Sequence, residues 1–103
     1  MARPKGWQNP INVGPGGVQT SVDPSLLLPS RRDLIRQRLE FQRSLLKAGR
    51  SRFTPIMVTP DGVIVDGHHA VRAAAEEGRL VGVQVIDMAT PPSARSILHL
   101  PIG

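Results

Sequence analysis

The chain has 103 residues, 40% of them hydrophobic but only 3% aromatic, with no cysteine and a formal charge of +5. That length supports one small domain with a core of Val, Ile, Leu and Ala. Lack of cysteine excludes disulfides, thiolate catalysis and cysteine-bound zinc, and no apolar run reaches the roughly 18 residues of a membrane span.

Residues 1–29 carry five prolines, with Gly14, Gly16 and Gly17 between them. Proline removes backbone donors and glycine weakens both helix and strand, so this stretch reads as an extended arm. A short strand is expected at Val18-Gln19-Thr20-Ser21-Val22, and Trp7 is a candidate anchor for the arm. The folded domain is then expected over residues 30–103.

Residues 30–48 read as the first helix. Ser30 fits an N-cap, Asp33 takes the acidic place of a capping box, and Gly49 fits the left-handed stop. Leu34, Ile35, Leu39, Leu45 and Leu46 recur near helical spacing, with Phe41 widening the stripe. The same region carries Arg31, Arg32, Arg36, Arg38, Arg43, Lys47, Arg50 and Arg52 against Asp33 and Glu40. Its excess of positive charge exceeds that of the whole chain. Such a run suits phosphate contacts, which add affinity but little sequence information. It equally suits the solvated face of a half-buried helix. Arg31, Arg32, Arg36, Arg43, Lys47, Arg50 and Arg52 are therefore the candidate nucleic-acid-binding residues.

Residues 53–59 read as a strand, with Pro55 placing it at a sheet edge. Pro60-Asp61-Gly62 has turn chemistry, and Val63-Ile64-Val65 returns as a second, buried strand. Asp66-Gly67 ends it, and an alanine-rich helix follows from about 68 to 77, stopped by Gly78. Val81–Asp87 is the next strand, expected to run parallel to the one before the helix through a right-handed crossover. Ile97-Leu98-His99-Leu100 reads as a last edge strand. The pattern as a whole is a small α/β (α+β) fold with a mixed sheet.

Asp66-Gly67-His68-His69 concentrates the polar chemistry. The first turn of a helix presents unpaired N–H groups and the positive end of the dipole. Glycine there admits a ligand close to the backbone, and imidazoles donate to phosphate oxygens or transfer protons near neutral pH. Asp66, His68 and His69 are the catalytic candidates; Gly67, His69 and Arg72 are the phosphate-binding candidates. Asp66 is also the candidate metal ligand. Adjacent histidines point about 100° apart on a helix, so both rarely bind one ion. The plainer alternative makes Asp66 an N-cap and the histidines ordinary polar surface.

The stretch from Pro55 to Asp87, PIMVTPDGVIVDGHHAVRAAAEEGRLVGVQVID, resembles the ParB/sulfiredoxin superfamily, the ParB-like nuclease domain. The likeness lies in the order of strand, turn, second strand, Gly-x-(His/Arg)-Arg-type box and alanine helix, and covers about a third of the chain. It implies a small α/β fold whose box grips the phosphates of a nucleotide or nucleic acid. By position, Gly67, His68 and His69 would lie against phosphate, and Asp66 would hold the corner or a magnesium-bound water. The arginine that often follows the second histidine is Ala70 here. Arg72 does not simply replace it, because positions 70 and 72 lie about 200° apart on a helix. The reactive cysteine of sulfiredoxin is absent. The layout also resembles detached C-terminal toxin domains of large bacterial secreted proteins, which implies a cognate immunity protein as partner. The expected location is the cytoplasm, its own cell's or a target cell's.

The leading expectation is a nuclease-like phosphodiester hydrolase or a nucleotide hydrolase, with Mg2+ as the candidate cofactor, a histidine as acid or base, Asp66 orienting a histidine or metal-bound water and Arg72 stabilising phosphate charge. The alternatives are a non-catalytic nucleotide- or DNA-binding module and a protein-interaction domain.

Overall fold

The β-branched run Val63-Ile64-Val65 must bury itself, and it does so by folding back on the strand before it. The computed structural model describes residues 3–50 and 55–103. In chain order it contains β1 (Val18–Val22), a 3-10 turn at Pro24–Leu26, α1 (Arg36–Lys47), β2 (Ile56–Val58) and β3 (Ile64–Asp66). Then come α2 (His68–Glu77), β4 (Val81–Val85) and a 3-10 turn at Ile97–His99. The result is an α+β domain with a four-stranded mixed sheet of order β1-β4-β2-β3.

The hairpin turn follows from its residues. Gly62 has φ of +79°, its N–H donates to the Thr59 carbonyl at 2.9 Å, and the Thr59 hydroxyl accepts from the Val63 N–H at 3.1 Å. A side chain on Gly62 would be strained at that φ and would meet Asn9 Oδ1 at 2.9 Å and Trp7 Cζ2 at 3.4 Å. Trp7 anchors this approach: its indole N–H donates to the Leu26 carbonyl at 2.7 Å, and Arg3 stacks over the ring while pairing with Asp61. The N-terminal stretch is thus part of the fold. It supplies β1 as a sheet edge, and Ile11, Val22, Leu27 and Leu28 join the buried core.

Three expectations are corrected by tertiary pairing. First, α1 starts at Arg36, with Ile35 as an N-cap that has no side-chain bond. Ser30 and Asp33 match a capping pattern but lie before the helix. Leu34, fully buried, forms a parallel bridge with Ile102. The Leu34 N–H donates to the Pro101 carbonyl, and the Arg36 N–H donates to the Gly103 carbonyl. The C-terminal residues thus satisfy backbone groups that a longer helix would have used internally.

Second, β2 is interior rather than an edge, pairing parallel with β4 and antiparallel with β3. Pro55 precedes it and so removes no ladder bond; Phe53 and Thr54 lie outside the described residues. Because β2 separates them, β4 runs parallel to β2 and not to β3. Third, Ile97–His99 is a 3-10 turn capped by the Ser96 hydroxyl, not a strand. It buries Ile97 and Leu100 against the core.

Helix α2 behaves as its sequence predicts. Val71, Ala73 and Ala74 are buried, and the small alanines let it pack against α1, β2 and both 3-10 turns. Gly78 ends it in the left-handed conformation. Its N-terminus therefore meets the segment that leads into α1.

Candidate functional site

At the start of α2, Gly67 adopts φ of +105°, a conformation glycine accepts without steric cost, and serves as N-cap with no side-chain bond. This turn throws the chain from the end of β3 directly into the helix and sends His68 and His69 toward residues 30–35. The two rings then grip that segment at its two ends. His68 Nε2 accepts from the Ser30 N–H at 2.9 Å, and His69 Nε2 accepts from the Ile35 N–H at 3.0 Å. The Ser30 hydroxyl donates to the Ile64 carbonyl at 2.6 Å and lies 3.3 Å from the same His68 nitrogen.

A ring nitrogen that accepts from a backbone N–H carries no proton, so each neutral imidazole holds its proton on Nδ1. Electrostatics agree with this. Burial, reinforced by Arg31 and His69 and opposed by Asp66, pushes His68 down to about 4. Burial, with Arg31 and Arg38 nearby, also lowers His69. His68 is only 4% exposed; His69 is half-buried. Both rings are neutral at neutral pH, and the positive charge of the corner belongs to arginine.

A cavity of about 640 Å³ opens at this corner. Its walls are Ser30 and Arg31, the α1 face Gln37, Arg38, Phe41 and Gln42, and the corner itself from Val65 to Ala70. Asp66, Gly67, His68 and His69 are therefore brought together. Asp66 stands exposed at the end of β3. Among the described residues, no group of three or more His, Asp or Glu is placed to share a metal ion.

The predicted arginines separate into two groups. Arg31 reaches the cavity, its Nε donating to the Asp33 carbonyl at 3.1 Å and its own carbonyl accepting from the Ser93 hydroxyl. Arg72 does not reach it. Its guanidinium donates to the carbonyls of Ile97 at 3.2 Å and Leu100 at 2.9 Å and pairs with Glu76 at 3.0 Å. Arg43 pairs with the same Glu76 at 2.7 Å and with Glu40. Arg43, then Arg72, hold the Glu76 carboxyl below its ordinary range, and those carboxylates raise the Arg43 guanidinium above its own. Arg32, Arg36, Lys47 and Arg50 are exposed but do not line the cavity. Arg52 lies outside the described residues.

Sequence reasoning missed Phe41, Gln37 and Gln42 as site residues and counted Arg38 only as part of a basic run. Positions 37, 38, 41 and 42 are related by three- and four-residue steps, so they share one face of α1. That spacing was visible; which way the face looked was not. No family model, curated protein or solved structure matches the chain.

Proposed function

We propose that the corner cavity binds a phosphate-bearing ligand, a nucleotide or a nucleic-acid strand, in a domain akin to the ParB/sulfiredoxin superfamily. The observation that carries this reading is the pair Arg31 and Arg38 on the cavity wall, neither engaged in an ion pair among the described residues. Guanidinium groups match phosphate oxygens in geometry and charge. The glycine-led start of α2 lies on the same wall and favours an anion there.

Binding is preferred to hydrolysis as the function. A general base needs an available lone pair, and both Nε2 lone pairs accept backbone N–H bonds. The remaining Nδ1–H groups are donors and cannot deprotonate water. The likeness in residue order to ParB-like domains supports the same ligand class.

The test is calorimetric titration at low salt with the four nucleoside triphosphates and a short single-stranded DNA. Saturable binding that weakens with added salt is expected. The double variant Arg31→Ala/Arg38→Ala should weaken it by about a hundredfold or more, since each charge-assisted bond contributes about 1.5–3 kcal/mol. Absence of binding, or equal binding by the double variant, refutes the reading. Cleavage by wild type that His69→Gln abolishes would restore the hydrolase alternative.

A further inference from the structure

Phe41 lies on α1, whose apolar side is buried through Leu39, yet its ring is 61% exposed and forms part of the cavity wall. The chain has only two phenylalanines and one tryptophan, and Phe41 stands on the cavity wall with much of its surface exposed. Arg38 precedes it by one helical turn, and Gln37 and Gln42 flank it on the same face. Arg31, Asp66 and the histidine corner line the same cavity. The cavity wall thus carries one exposed phenyl ring together with two arginines, and its volume of about 640 Å³ lies in the range of small-molecule and cofactor sites.

Resting on the phosphate reading above, we infer that Phe41 is the stacking platform for the nucleobase of the ligand whose phosphate is held by Arg31 and Arg38. An exposed aromatic beside arginines is the arrangement by which single nucleotides and unpaired strands are held, because every base offers a π-face. The flanking amides of Gln37 and Gln42 each present a donor and an acceptor to a base edge. Bases stacked inside a duplex have no free face to offer Phe41. The ligand is therefore a nucleobase joined to phosphate and free of a pairing partner, whether a mononucleotide or a single strand.

Titrating wild type, Phe41→Ala and Phe41→Trp with the four nucleoside triphosphates, a single-stranded hexanucleotide and inorganic triphosphate tests this. Wild type should bind at least one base-bearing probe about tenfold more tightly than inorganic triphosphate, the size expected of one base stack. Phe41→Ala should erase that advantage and leave inorganic triphosphate binding unchanged; Phe41→Trp should keep it. Because the ring is exposed, all three proteins should fold, and matched thermal melts check this. Whether the preferred probe is a triphosphate or the hexanucleotide identifies the source. An advantage that survives in Phe41→Ala, or that is missing in wild type while inorganic triphosphate binds, overturns the inference but not the phosphate site. Failure of every probe, inorganic triphosphate included, overturns both.

Discussion

The two ends of α2 use similar residues for opposite purposes. At its N-terminus, His68 and His69 are bound to backbone donors, while Arg31 and Arg38 are left to face a cavity. Toward its C-terminus, Arg72 and Arg43 converge on Glu76 and tie α1, α2 and the last 3-10 turn together. One end leaves its charge facing a cavity and the other neutralises it within the protein. Formal charge read along a chain is therefore a poor map of the field outside it. The segment with the greatest positive excess contains both an arginine that faces a ligand-sized space and one closed into an ion cluster.

The comparison is most strongly broken by acid. The unfolded chain protonates His68 near the ordinary imidazole value of 6.5, whereas the folded chain resists until about 4. The stability tied to this neutral ring is complete above pH 6.5 and is lost as pH falls toward 4. The loss is on the order of 3 kcal/mol. Urea unfolding across that range should show the slope, and a His68→Leu variant should lose that part of it.

That same variant, measured at neutral pH, gives the next effect. Removing the acceptor leaves the Ser30 N–H unsatisfied in a half-buried place, at about 2 kcal/mol. His69→Leu should cost less, about 1 kcal/mol, because water reaches the Ile35 N–H. Thermal melts of the two variants would rank them, and the reverse order would mean that the half-buried ring of His69 is the stronger staple.

At the other end, Glu76→Gln should cost about 1 kcal/mol, limited by screening at a partly exposed site. Raising the salt concentration should shrink the difference from wild type, whereas the histidine variants should be insensitive to salt. Smallest of all in stability is Arg38→Ala, expected to shift unfolding by less than about 0.5 kcal/mol. Its effect belongs to affinity, where a loss of about tenfold is expected. A large loss of stability in Arg38→Ala would place that arginine with Arg43 and Arg72 rather than with the cavity.

Much of the fold was legible because local chemistry and tertiary context agreed. The Thr59–Gly62 turn, the β3 to α2 corner and the alanine face of α2 follow from residues that have few other conformations open to them. The start of α1 was not legible. Ser30 and Asp33 satisfy a capping pattern, but Leu34 gains more by burial and by pairing with Ile102 than by helical continuation. The corner was located from Asp66-Gly67-His68-His69, yet the state of its rings was hidden. Their partners are backbone N–H groups more than thirty residues away, and backbone donors leave no mark in a sequence. Arg72 fitted a phosphate role by helical geometry alone; the carbonyls that engage it come from a turn read as a strand.

The sheet also sets the tempo at which the molecule can assemble. Strand β1 pairs with β4 at the edge of the sheet, and Leu34 finds Ile102, in each case across most of the chain. Neither contact forms until a long loop has closed, and the entropy of that closure falls due before any of the contacts are made. The first turn of α1 must therefore wait for residues 101–103 to arrive, and a nascent chain that still lacks them has a cavity wall without its support.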